Sequence, residues 1–308
     1  MKHYFILVFC VVIWAANYLA RQLLLTKFSS LFLSAFSLTV VSIFFLILVF
    51  FTKSFIKVTK KELYLLVVAG LIGLVFNQIF LFTGLQYSTA SNASLIFSMA
   101  PLITALLASI ILKEKITKHL IIGSIIALLG VYFVLSANGR FEYNMGDILL
   151  FGATVTFSSN LILVRMLSQR ISPIIITTYS FLIASLMFDP FIMANVTVNW
   201  NQSITMWSLA FVSVLIGQGI TTLMWNNTMQ AVGAAKSTVV LNLQPIVTLL
   251  LDYWIFNTRV SSLQLIGTIL VIYGVLLSVL HQELFSKKLF HTFLIKNRNT
   301  SFKRKGFK

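Results

Sequence analysis

Long apolar runs separated by short polar breaks make up most of this chain. Ten runs reach membrane length, near residues 3–25, 31–51, 63–87, 90–112, 118–136, 145–165, 174–195, 204–229, 234–256 and 262–282. As a helix, each is long enough to cross about 30 Å of hydrocarbon at about 1.5 Å per residue. Strands of a closed barrel would instead alternate polar and apolar positions with period two. The pattern predicts an all-α polytopic membrane protein with ten transmembrane helices.

Two of the runs echo each other. ASNASLIFSMAPLITALLASIILKEK (90–115) and AAKSTVVLNLQPIVTLLLDYWIFNTR (234–259) each hold one proline, and Pro245 follows Pro101 by 144 residues. The same offset carries Gly73 onto Gly217, Gln86 onto Gln230, Thr104 onto Thr248, Gly123 onto Gly267 and Gly130 onto Gly274. Glycine and proline have backbone roles that other residues replace badly, so their shared spacing is strong evidence of duplication. Asn17 and Asn160 correspond at an offset of 143, as one loop deletion would produce. Five crossings per half is odd, so the second half starts on the opposite side of the membrane. The repeats are then inverted, over 1–137 and 138–283, with a basic tail at 284–308.

Composition agrees: 58% of residues are hydrophobic, 10% are charged and mean hydropathy is +0.96. The net charge of +16 lies mostly between the apolar runs and in the tail. That placement suits topology signalling and anionic headgroups, and no nucleic-acid partner is expected. With the N-terminus in the cytoplasm, the inner side collects Lys2, Lys53, Lys57, Lys60, Lys61, Lys113, Lys115, Lys118, Arg165, Arg170, Lys236 and the tail. The outer side receives only Arg21, Lys27, Arg140 and Arg259. Both termini are therefore expected in the cytoplasm of a cell-membrane protein, with Trp200 and Trp207 as outer interface anchors. The first run is longer than a signal-peptide core and is expected to be retained. The lone Cys10 excludes an intrachain disulfide and reads as a small buried hydrophobe.

Trp14-Ala-Ala-Asn17 in the first run, ASLIFSMAPLITALLASIILKEKIT in the fourth and GSIIALLGVYFVL in the fifth resemble the EamA family of the drug/metabolite transporter superfamily. The likeness covers nearly the whole chain short of the tail. Where the family usually repeats the acid of Leu-Lys-Glu114, the second half has Thr258. The resemblance implies a ten-helix, two-repeat transporter with a central cavity. It leaves the substrate open, because close relatives export amino acids, other metabolites or drugs.

Candidate binding residues follow from polar side chains at membrane depth. Trp14, Asn17, Tyr18 and Arg21 share one helix face, which should line a cavity or the bundle interior. Alternatively, Asn17 glues neighbouring helices while Arg21 snorkels to outer headgroups. Asn77 and Gln78 correspond to Thr221 and Thr222, and Phe82 to Asn226; Gln218, the two threonines and Trp225 share a face of the eighth run. Asn160 joins them through its match to Asn17. Amides beside flat aromatic walls suit a zwitterion or an uncharged polar molecule. Around the prolines, Ser98 matches Asn242 and Gln244 precedes Pro245. Pro101 and Pro245 are expected to kink their helices and free carbonyls that line a site or are satisfied by packing. Asp252 stands out as the carboxylate inside an apolar segment, with Arg259 or Arg21 as partner, in either ion coupling or a structural pair. Glu114 orders a loop, Asp147 favours a helix N-terminus, and His3, His119, His281 and His291 suggest no metal cluster.

HExxH, GxxxxGK[ST] and an acid–His–Ser cluster are all missing, so neither an enzyme nor a cofactor is expected. The leading expectation is a secondary-active transporter exporting a small polar metabolite such as an amino acid, by alternating access around a central cavity. A drug-efflux carrier would share the fold, but a carrier of lipophilic cations should bury a central carboxylate and the chain offers the off-centre Asp252. The missing catalytic constellation disfavours an intramembrane enzyme, and a passive channel is the remaining alternative. The expected partners are the substrate and the lipid bilayer, and a monomer is compatible with this reading.

Overall fold

Capping chemistry sets the helix ends in the computed structural model, which describes residues 2–111, 113, 118–135, 144–168, 170–232, 240–241, 243–257, 260–274 and 276–277. Helix α1 spans Lys2–Leu24 and α2 spans Ser30–Thr52, opened by the Ser29 hydroxyl accepting from the Phe32 N–H. Lys53 closes α2 in the left-handed region at φ 50°. Helix α3, Lys60–Tyr87, begins with a capping box in which Thr59 and Glu62 satisfy each other's backbone N–H. Thr89 caps α4, Ala90–Ile111. Helices α5, Lys118–Leu135, and α6, Met145–Leu167, follow, the latter capped by Asn144. Helix α7 is Pro173–Asn195, with proline in its first turn, where a missing N–H costs nothing. Helix α8 runs over 204–232, α9 is Gln244–Phe256 and α10 is Ser262–Gly274.

The described residues are helical or in short connections, and seven helices, α1–α4 and α6–α8, are long and apolar enough to cross a membrane. Described apolar stretches in α5 and α10 are shorter, Ile121–Gly130 and Ser262–Gly274. The outer faces carry what a lipid solvent favours: Ile121, Ile125, Leu128, Leu186, Phe191 and Ile269 are all more than half exposed.

Two backbone departures matter for the site. The helices do not kink at the prolines; they restart there. Ser98 and Met99 form a turn before the segment Ala100–Ile111, and Gln244-Pro245 opens α9 after a turn residue, Leu243. Proline lacks the N–H that would continue the preceding helix but suits a first turn. Both α3 and α8 also widen into π-helix, over Ala69–Phe76 and Leu215–Ile220. These stretches end 144 residues apart, at the same place in each half.

Helix contacts come in matched sets. Helix α3 packs on α6 as α8 packs on α1, α4 on α6 as α9 on α1, and α2 on its own counterpart α7. Helices α5 and α10 cross backbone to backbone: a Cβ at Gly130 would lie 2.7 Å from Gly267 O, and one at Gly274 would lie 2.5 Å from Gly123 O. Small residues at crossings permit this approach where lipid supplies no hydrophobic drive between helices. An aromatic core of Phe28, Phe32, Phe36 and Phe45 fills the space beside α7 and α8. Trp207 packs edge-on to Phe28 at 4.9 Å and stacks on the exposed Trp200.

Candidate functional site

Helix α1 presents its polar face to the π-widened part of α8. Trp14 Nε1 donates to Gly217 O at 2.8 Å, and Asn17 Nδ2 to Ser213 O at 2.5 Å. A π turn displaces carbonyls from their regular i→i+4 partners. The Thr221 N–H reaches back five residues to Ile216 O, and side chains of α1 occupy neighbouring carbonyls. The approach is close because Gly217 has no side chain: a Cβ there would sit 1.7 Å from Asn17 Nδ2.

One turn along, Arg21 is 8% exposed. Its Nη2 donates to Gln218 Oε1 at 3.0 Å, and its Cζ lies 5.0 Å from the centre of the Phe82 ring. That geometry is a cation–π contact. Guanidinium has five N–H donors; among the described residues Gln218 is its one side-chain hydrogen-bond partner, and no carboxylate pairs with it. Tyr18 lies 5.8 Å from Phe97, with the Gln244 side chain beside its hydroxyl. Trp14 meets Trp225 at 4.9 Å. Eight of the predicted site residues thus converge: Trp14, Asn17, Tyr18, Arg21, Phe82, Gln218, Trp225 and Gln244.

The others lie apart. Asn77 turns to α6, donating to Ala153 O at 2.7 Å and Thr156 Oγ1 at 3.3 Å. Gln78 is held against α2, accepting from Ser37 Oγ at 3.2 Å. Ser98 donates within its own helix to Leu95 O. Asn160 faces Gly73, where a Cβ would lie 2.5 Å from its Oδ1. This repeats the Asn17–Gly217 contact in the other half, with one difference: Asn160 Oδ1 is buried without a hydrogen-bond partner. Asn242 and Arg259 lie outside the described residues.

Asp252 is buried, and it accepts a hydrogen bond from Ser91 of α4. Arg21 is not its partner, because the guanidinium is turned to Gln218 and Phe82. Nor is Asp252 alone among apolar-segment carboxylates. Asp189 of α7 is 9% exposed, takes hydrogen bonds from Thr39 and Ser185, and leaves Oδ1 unpartnered. Its signal in the sequence was the acid itself, four residues after Ser185 and beside Pro190 in an apolar run. Among the described residues no cluster of His, Cys, Asp or Glu could hold a metal ion.

The chain matches the EamA-like transporter family profile over residues 1–136 and 144–280. It is 30% identical to the uncharacterized transporter YyaM of Bacillus subtilis, over 75% of this chain and 78% of that one. It is 25% identical to a probable terminal-alkyne amino-acid exporter of Streptantibioticus cattleyicolor, over 88% and 91% of the two chains. With a probable amino-acid metabolite efflux pump of Escherichia coli it shares 24%, over 87% and 92%. A crystal structure at 16% identity superposes with a TM-score of 0.64, over 89% of this chain and 95% of that one, which speaks to the fold alone.

Proposed function

The chain belongs to the EamA-like transporter family, and from that premise we propose that it is a secondary-active exporter of a small polar metabolite bearing a carboxylate, with amino acids as the leading class. The carrying observation is Arg21: a buried guanidinium, stacked on Phe82, with a neutral amide as its only side-chain hydrogen-bond partner among the described residues. A charge inside a membrane protein is costly unless it meets an opposite charge or water. A substrate carboxylate supplies that charge and can bind guanidinium through two parallel hydrogen bonds. Tyr18, Gln218, Gln244 and the Trp14–Trp225 pair offer hydrogen bonds and flat apolar walls for the remainder. Two relatives carry names of amino-acid or amino-acid-metabolite exporters, which favours the same class. The buried cation disfavours efflux of lipophilic cations.

In this reading the chain has ten transmembrane helices in two inverted repeats, with both termini cytoplasmic. The matched helix contacts and the two Asn–Gly contacts, each joining the first helix of one half to the third of the other, support the repeat relation. Alternating access then exchanges the conformations of the halves around a fixed site. The difference between Asn17, bonded to Ser213 O, and Asn160, with a free Oδ1, is the kind of asymmetry such an exchange requires.

The test is counterflow in proteoliposomes preloaded with single amino acids, beside their decarboxylated amines. Saturable exchange of amino acids but not of the amines is expected, lost in Arg21→Gln and retained in part in Arg21→Lys. Equal exchange of the amines, or an Arg21→Gln protein with unchanged exchange, would overturn the carboxylate reading.

A further inference from the structure

Away from the α1–α8 site, the segment between α2 and α3 forms a fixed cleft against α7. Three tethers hold it. Arg170 grips Glu62 with both ends of its guanidinium, Nε to Oε1 and Nη2 to Oε2, each at 2.5 Å. The same Nη2 donates to Lys57 O at 3.2 Å, and the Tyr179 hydroxyl donates to Ile56 O at 3.0 Å. Glu62 in turn caps Thr59 at 2.7 Å. The Glu62 carboxylate also holds the Arg170 pKa above the ordinary arginine value. The cleft that results has a volume of about 500 Å³, with apolar walls from Ile56, Val58, Leu63, Leu182 and Ile183. Val58, Tyr179 and Ile183 rest on a buried cluster that includes Leu66, Leu167 and Ile175, so the floor of the cleft is packed core.

Its rim is basic. Lys53, Lys57, Lys60 and Lys61 are exposed within nine residues. Together with Arg170 they oppose one carboxylate, Glu62, which leaves a local charge of +4. Glu62 is already committed to Arg170 and the Thr59 cap, so it does not answer the lysines. Phe55, in the connection, and Tyr64, in the second turn of α3, are 49% and 68% exposed, as suits aromatic side chains in a headgroup region.

An apolar trough opening beside a cluster of lysines, at the end of membrane-length helices, matches one ligand chemistry: an anionic headgroup joined to a hydrocarbon chain. We propose that this cleft binds an anionic glycerophospholipid of the adjacent leaflet, with its phosphate among Lys57, Lys60 and Lys61 and an acyl chain along Leu63, Leu182 and Ile183. A free phosphate would use only the rim, and a neutral lipid only the trough. The tethers make this a preformed site, unlike a flexible basic tail. A bound lipid would then join α2, α3 and α7 at one end of the bundle. Such a site needs no transported substrate and can serve on either side of the membrane.

The test uses the full-length protein, delipidated in detergent and titrated with palmitoyl-oleoyl phosphatidylglycerol, with the phosphatidylcholine of the same chains, or with inorganic phosphate. Native mass spectrometry reads the first bound lipid. Phosphatidylglycerol is expected to bind at least tenfold more tightly than phosphatidylcholine. The surface variant Lys57→Gln/Lys60→Gln/Lys61→Gln should erase that preference, at roughly fivefold per lysine. Ile183→Trp, filling the trough, should weaken both lipids while helical content by circular dichroism stays unchanged. Equal affinity for the two lipids, an unaltered preference in the triple-lysine variant, or competition by phosphate at the lipid's own affinity would each overturn the proposal. A misfolded Ile183→Trp protein would leave the lysine arm to decide.

Discussion

Replacing Gly217 by alanine would place a methyl carbon 1.7 Å from Asn17 Nδ2 and 2.6 Å from its Cγ. Ordinary contact begins near 3.4 Å, so the amide must move by about 1.7 Å. Its hydrogen bond to Ser213 O, 2.5 Å long, cannot survive that shift. Overpacking of this kind costs about 1–3 kcal/mol. The lost interhelical bond adds about 0.6 kcal/mol, on the scale measured in membrane bundles. Alanine's better helix propensity returns about 1 kcal/mol, leaving a net loss of about 0.6–2.6 kcal/mol. Asn17→Ala alone removes the bond and part of the packing, for about 1 kcal/mol. In the double variant the clash is gone, so adding Gly217→Ala to Asn17→Ala should be neutral or stabilising. The coupling is therefore at least about 0.6 kcal/mol and opposite in sign to the single effects. Thermal unfolding in detergent, followed by tryptophan fluorescence, reads it at about 2 °C per kcal/mol. Effects that add within about 0.5 kcal/mol would refute the close Asn17–Gly217 approach.

Gly73→Ala should destabilise less than Gly217→Ala in the same assay, because half-buried Asn160 has no hydrogen bond at Oδ1 to lose; an equal or larger loss would count against the asymmetry. Cys10, buried and within reach of Thr221 O, should resist a water-soluble maleimide in the folded protein and label stoichiometrically in denaturant; fast native labelling would place it on an aqueous path instead. A cytoplasm-active reporter fused after His281 should be active and one at Asn138 inactive, and the reverse pattern would overturn the orientation. Asp252→Asn keeps an oxygen to accept from Ser91 and should fold normally, whereas Asp252→Leu strands that hydroxyl and should lower the melting temperature by several degrees. Equal stability of the two would show that the Ser91 contact contributes little.

The glycine spacing was legible in the sequence because it records an approach that no other residue permits. Gly73 and Gly217 each lie under an asparagine, and Gly130 and Gly274 under a backbone, so the 144-residue offset reads out contacts as well as ancestry. The face of α1 was legible for a related reason: grouping Trp14, Asn17, Tyr18 and Arg21 needs only helical periodicity. What each side chain meets across that face was not, since periodicity stops at the edge of one helix. Asn77 and Gln78 are neighbours in sequence yet serve opposite interfaces, to α6 and α2, because adjacent residues on a helix diverge by about 100°. The π stretches were hidden altogether. Nothing in AGLIGLVF or LIGQGI announces a five-residue hydrogen bond, and in the second stretch Trp14 of another helix takes the Gly217 carbonyl.

A π turn differs from an α turn by one residue of register, so converting one to the other rotates everything beyond it by about 100°. Gln218 lies within the π stretch of α8 and Trp225 just beyond it, while Asn17 and Trp14 hold the carbonyls that such a conversion would reclaim. Were the stretch to convert, release of Asn17 from Ser213 O would swing Gln218, the Arg21 partner, and Trp225 together, linking the proposed site to helix register. If so, Asn17→Ala should alter transport more than its modest stability loss implies, with counterflow falling at least tenfold while the folded fraction at assay temperature stays near wild type. A counterflow rate that merely tracks the folded fraction would reduce Asn17 to a packing residue.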